Sequence, residues 1–128
     1  MTVDALTERA RDFLPVGVPV FHILLALGAD TLHGYGILES IEAKTGGEAS
    51  ILPGTLYATM NRMQDDGLIE EADRPEGADA RRKYYRRTAL GGAVVAAEAR
   101  RLQLLVEVAR RDLPEGAGGP ATGDPTAR

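Results

Sequence analysis

Five of the seven residues from Arg81 to Arg87 are cationic, and Tyr84 and Tyr85 are interleaved with them. Guanidinium and ammonium groups beside phenolic hydroxyls suit a polyanion, because each can donate to phosphate oxygens. Upstream, Thr55, Thr59 and Arg62 share one side of a helical spacing, with Tyr57 and Asn61 on its flank. Small hydroxyls and one long cation on a helix face can reach phosphates and base edges in a groove. The candidate contacts to duplex DNA are therefore Thr55, Tyr57, Thr59, Arg62, Arg81, Arg82 and Lys83. The three cations nearest the turn are the best placed for phosphate.

Other chemistry finds little support. The chain has no cysteine, which removes disulfides, thiolate metal sites and a cysteine nucleophile. His22 and His33 have no carboxylate cluster at metal-ligand spacing and read as structural. His33-Gly34-Tyr35-Gly36 lacks the lysine and serine of a phosphate loop. Ser40 and Ser50 have no evident His–Asp partners. No enzyme, cofactor or metal is expected, and no effector-binding residue stands out.

At 128 residues the length suggests one domain, and 44% hydrophobic with 27% charged residues is ordinary for a soluble fold. No apolar run approaches a membrane span, and Asp4, Glu8 and Asp12 leave no signal-peptide core, so a cytoplasmic protein is expected. The formal net charge of −4 is unusual for a nucleic-acid binder. Distribution matters more than the sum, since screening limits a charge's reach to about 8 Å at physiological salt. The acids gather at Glu39, Glu42 and Glu48 and at Asp65, Asp66, Glu70 and Glu71, away from the basic run.

Several elements must position these residues. Val3, Leu6, Ala10 and Phe13 or Leu14 recur at helical spacing before a break at Pro15 and Pro19. Val18 to Leu27 reads as a buried helix ending at Gly28. A second helix is expected to be capped by Asp30 and Thr31 and to run to about Lys44, with Ile37, Leu38 and Ile41 inward. Gly46-Gly47 ends it. Pro53 opens a third helix over about Gly54 to Asp66, with Leu56, Met60 and Met63 as its buried stripe. Gly67 stops that helix. Leu68 to Asp73 and Lys83 to Thr88 then form a hairpin with Pro75, Glu76, Gly77 and Asp79 at its tip. Alternation puts Lys83, Tyr85 and Arg87 on one face and Arg82, Tyr84 and Arg86 on the other. The order of helices followed by a basic hairpin is that of a winged helix-turn-helix, mainly α with a small β-hairpin wing.

A long helix from about Ala89 to Asp112 completes the pattern. Val95, Ala99, Leu102, Val106, Ala109 and Leu113 follow a heptad seam, which Leu105 and Val108 widen. A two-fold partner is the expected cover for such a stripe. The expected dimer interface is Val95, Ala99, Leu102, Leu105, Val106 and Ala109. The expected divisions are an N-terminal arm over 1–15, a DNA-binding domain over 16–90, a dimerisation helix over 91–113 and a disordered tail over 114–128.

From Phe21 to about Gly91 the chain resembles the PadR-type transcriptional regulators. The resemblance rests on Ile23-Leu24-Leu25-Ala26-Leu27, His33-Gly34-Tyr35-Gly36-Ile37, Pro53-Gly54-Thr55-Leu56-Tyr57, Asp66-Gly67-Leu68-Ile69 and Arg82-Lys83-Tyr84-Tyr85-Arg86-Arg87-Thr88. It implies a homodimeric repressor on a palindromic operator, relieved by a small-molecule effector. Room for only one long C-terminal helix resembles the short branch of that family. The absence of tryptophan leaves an indole-stacking ligand pocket unsupported. The competing reading is a winged-helix adaptor that binds protein and not DNA.

Overall fold

Helices form where an apolar stripe meets a terminus that can be capped, and the order of elements follows from that. In the computed structural model, which describes residues 2–116, they are α1 (Val3–Arg11), α2 (Val18–Ala26), β1 (Leu32–His33), α3 (Gly34–Lys44), α4 (Pro53–Asp65), β2 (Ile69–Ala72), β3 (Tyr84–Arg87) and α5 (Ala89–Arg110). The chain divides into two units, Met1–Glu98 and Ala99–Arg128. The disordered tail expected from 114 onward lies outside the described residues beyond Gly116.

In the first unit, the Thr2 hydroxyl caps α1 by accepting from the Ala5 N–H at 3.1 Å. Pro19 sits in the first turn of α2, where its missing N–H is harmless. The stripe of α4 is buried as its spacing predicts, with Leu56, Met60 and Met63 at 1% exposure or less. Each such burial stabilises by about 1.5–3 kcal/mol. Ile23 and Leu24 of α2, Ile37 and Ile41 of α3, Ile69 and Tyr85 of the sheet, and Leu90 and Val94 of α5 join the same core.

Gly67 stops α4 with φ at +78°, a conformation that favours glycine. The Gly67 and Leu68 N–H groups fold back onto the Gln64 and Met63 carbonyls at 3.0 and 2.9 Å. The sheet has three strands in the order β1-β3-β2, both pairs antiparallel. Leu32 pairs with Tyr85, and Glu71 pairs with the same residue from the other side. The hairpin is therefore the wing, and β1 anchors it to the start of α3.

Three expectations need correction. The cap of α3 is His33 and not Asp30 or Thr31: its Nδ1 accepts from the Gly36 N–H at 3.0 Å. Nδ1 stands on the imidazole where Oδ1 stands on asparagine, so it reaches the same backbone donor. Strand β1, two residues long, was not anticipated. Finally, Val95 is 5% exposed inside the core of its own unit, which leaves it almost no surface for a second chain.

The start of α5 is fixed by Thr88. Its hydroxyl donates to the Gly67 carbonyl at 2.6 Å and accepts from the Gly91 N–H at 3.0 Å. Near the end of this unit, Glu98 is buried and its Oε2 accepts from the Val16 N–H at 3.0 Å. In the second unit α5 runs from Ala99 to Arg110, and Leu102, Leu104, Leu105, Val106, Val108 and Leu113 are exposed on it and just beyond.

Candidate nucleic-acid interface

The buried stripe of α4 dictates which of its residues face out. Thr55, Ala58, Asn61 and Arg62 are exposed and Thr59 is half-buried. Tyr57 is 50% exposed. Its ring lies against Gly34, the first residue of α3: a Cβ built there would stand 2.5 Å from the Tyr57 hydroxyl oxygen. Glycine is the side chain that permits this approach. Tyr57 thus belongs both to the outer face of α4 and to the start of α3.

The structure separates the five cations of the wing into two kinds. Arg87 is half-buried and turned inward, with Nη1 donating to the Leu24 carbonyl at 3.1 Å near the end of α2. Arg86 donates through Nε to Glu70 Oε1 at 2.8 Å across the β2–β3 pair. Those two hold the wing to the body and to itself. Arg81, Arg82 and Lys83 precede β3 and are exposed.

Arg81 is braced by Asp79, with Nη2 to Oδ2 at 3.2 Å. Hydrogen bonds from the Arg81 side chain and backbone hold the Asp79 carboxyl below its usual range. The tip itself is closed by the Ala78 N–H on the Pro75 carbonyl at 3.1 Å and by a hydrogen bond from the Arg74 side chain to the Ala80 carbonyl. Lys83 makes no ion pair among the described residues.

Of the expected contacts, Tyr57, Arg81, Arg82 and Lys83 come together around one open groove of about 500 Å³, whose other walls are His33, Gly34, Tyr35 and Tyr85. Thr55, Thr59 and Arg62 lie on α4 and do not line it. Alternation separated Tyr84 from Tyr85 without choosing the inward one; it is Tyr85 that is buried, and burial, then Glu71 and Tyr57, push its phenol above the usual range.

His33 is the residue of this groove that motif reasoning passed over. Its Nε2 is 2.6 Å from Arg82 Nη1, and the Tyr84 ring meets its own edge-on at 5.2 Å. Burial, then the Arg82 charge, hold the imidazole below its ordinary value of 6.5, against an opposing pull from Glu39. The signal that could have found it is the three-residue step from His33 to Gly36, the geometry of a helix cap.

Helices α2, α3 and α4, the last with a polar outer face, together with a basic antiparallel wing and a long C-terminal helix define a winged-helix fold. The profile of the transcriptional regulator PadR-like family matches residues 23–97. The chain belongs to that family and is a transcriptional regulator, not an enzyme. It is 35% identical over 95 residues to the transcriptional regulator Rv3488 of Mycobacterium tuberculosis, covering 74% of this chain and 84% of that protein. Its fold is similar to a PadR family transcription regulator from hypervirulent Clostridium difficile R20291, at TM-score 0.65 and 24% identity over 77% of this chain and 100% of the other. A transcriptional regulator from Clostridium thermocellum matches at TM-score 0.65 and 24% identity, over 89% of this chain and 99% of the other. Among the described residues, no helix is long and apolar enough to cross a membrane.

Proposed function

We propose that the protein is a homodimeric repressor that binds a palindromic operator and is released by a small-molecule effector. Helix α4 enters the major groove, with Thr55, Thr59 and Arg62 towards bases and backbone, and Tyr57, Arg81, Arg82 and Lys83 hold flanking phosphates. The observation that carries this reading is the division of labour in the wing. Arg87 is turned inward and Arg86 is paired across the hairpin with Glu70, whereas Arg82 and Lys83, with Arg81 paired only to Asp79 of its own turn, stand exposed around the groove that Tyr57 lines. β3 is the central strand of the sheet, so guarding an exposed edge against aggregation does not explain the three cations gathered beside a phenol.

The apolar residues Leu102, Leu105 and Val106, exposed in the second unit, support a two-fold partner, with Ala99 and Ala109 at the same face. Two copies related by that axis would meet half-sites about one helical turn apart. The experiment is fluorescence anisotropy of the protein with duplexes from its own upstream region and with a scrambled control, at two salt concentrations. A preference of about tenfold for the former, about 1.4 kcal/mol, is the expected result. Binding to neither duplex at low salt would overturn the reading in favour of a protein-binding adaptor.

A further inference from the structure

At the mouth of the groove, two hydrogen-bond donors compete for one lone pair. His33 Nδ1 accepts from the Gly36 N–H at 3.0 Å, while Nε2 lies 2.6 Å from Arg82 Nη1. A guanidinium nitrogen can only donate, and a neutral imidazole has a single acceptor nitrogen. If Nδ1 keeps the helix cap, the ring proton is on Nε2 and faces the Arg82 N–H, donor against donor. If Nε2 accepts from Arg82 instead, the Gly36 N–H loses its cap. Neither neutral tautomer satisfies both, and the imidazolium satisfies neither.

The 2.6 Å gap has no room for a third atom, but Arg82 is exposed and can swing aside; an anionic oxygen then accepts from both Nε2 and the guanidinium and resolves the conflict while Nδ1 continues to cap α3. The surroundings fit an anion. Arg81 and Lys83 from the wing and the Tyr57 hydroxyl from α4 line the same groove, Tyr84 packs on the ring from β3, and Glu39 of α3 is the carboxylate that acts on the imidazole. We propose that His33 and Arg82 form a two-donor clamp for a phosphodiester of the DNA backbone, with neutral His33 donating from Nε2. This rests on the DNA-binding reading above and adds a contact at the start of α3 that lies on neither the recognition helix nor the wing. The lowered affinity of this imidazole for a proton agrees with it, since the clamp needs the neutral ring.

His33→Asn separates the clamp from the fold. Asparagine keeps an acceptor at the cap position but its amide does not reach where Nε2–H points. Anisotropy with the protein's upstream duplex at pH 7.5 should show a loss of roughly tenfold, the usual size for a hydrogen bond to a charged group. The slope of log affinity against log salt should stay as in wild type, because a neutral donor displaces no counterion. Arg82→Gln should lose a similar factor and also flatten that slope by about one unit. The double variant should lose clearly less than the product of the two single losses, because both donors serve one phosphate. Thermal melting of His33→Asn near the wild-type temperature certifies the fold.

Wild-type affinity for a folded His33→Asn protein overturns the clamp. So do strictly multiplicative losses in the double variant, which would put the two residues on separate phosphates. In both cases wild-type binding survives and the regulator reading stands. A wild-type protein that binds no duplex at low salt removes the regulator reading and the clamp together.

Discussion

The phenolic ring of Tyr57 rests on the α-carbon of Gly34, so that a methyl group there would lie 2.5 Å from the hydroxyl oxygen and 2.9 Å from two ring carbons. The clash is with a half-exposed side chain that can swing outward. Gly34→Ala should therefore cost little stability, below about 1 kcal/mol, with some helix propensity gained in return. It should instead expel Tyr57 from the groove and weaken DNA binding to about the level of Tyr57→Ala. Melting curves and anisotropy on both variants test this. A melting point lowered by many degrees in Gly34→Ala would mean that the ring is locked in place.

Gly91 presents the opposite case. A Cβ there would stand 2.1 Å from the Leu68 carbonyl oxygen, 3.0 Å from Arg87 Cγ and 3.1 Å from Leu24 Cδ2. The first of these is backbone at the start of the wing, pinned by Thr88 through its N–H and hydroxyl. It cannot yield without moving the sheet. Gly91→Ala should destabilise by about 3 kcal/mol or more, measured by urea unfolding of the two proteins. A loss under 1 kcal/mol would show that α5 can lift off the sheet at little cost.

These two glycines mark the limit of what a linear reading carries. The stripe Leu56, Met60 and Met63 and the stop at Gly67 were legible because period and turn chemistry are local signals. Gly34 and Gly91 looked like any helix-start glycines, because the atoms they admit come from Tyr57 and Leu68, distant in the chain. The same holds for the wing. Alternation put Tyr84 and Tyr85 on opposite faces, but could not show which points inward, nor that Arg86 answers Glu70 and Arg87 the Leu24 carbonyl. The cap at His33 was missed because Asp30 and Thr31, better cap formers, stood just upstream. Strand β1 was missed because two residues cannot display a period of two. The heptad count enrolled Val95 because sequence spacing runs on through α5 without registering that its first turns are buried.

The partition of wing cations gives a direct test in salt dependence. Arg82→Ala and Lys83→Ala should each flatten the slope of log affinity against log salt by about one unit, one counterion per lost phosphate contact. Arg86→Ala removes a charge already answered by Glu70, and its slope should match wild type. Arg87→Met should also keep the slope, yet melt earlier, since a buried carbonyl loses a charged donor worth about 1.5–3 kcal/mol. Equal slopes for all four variants would take the wing away from the DNA.

The apolar residues of the second unit predict an association that is separable from the fold of the first. Leu102→Asp or Leu105→Asp places a charge where a two-fold partner would bury a leucine. Sedimentation equilibrium should find the wild type as a dimer and either variant shifted to monomer. Operator affinity should fall by more than tenfold, because two half-sites are no longer engaged by one linked species. The melting of the core around Leu56 and Ile69 should change little. A variant that remains dimeric would move the interface to another surface.

His33 also ties stability to pH, and the sign follows from the direction of its shift. Folding lowers its proton affinity below the ordinary value of 6.5, chiefly by burial and then by the Arg82 charge. Between the folded and unfolded values, the unfolded chain binds more protons, so stability rises with pH there. The contribution is fully present above pH 6.5 and is lost as pH falls through the lower, folded value. Protonation removes the lone pair that holds the Gly36 N–H, so α3 loses its cap as the imidazolium forms beside Arg82. His33→Asn has nothing to titrate and retains a cap, so its melting temperature should fall less steeply than wild type between pH 7.5 and pH 5.5. Parallel declines in wild type and His33→Asn would mean that acid weakens the fold through its carboxylates and leaves the α3 cap intact.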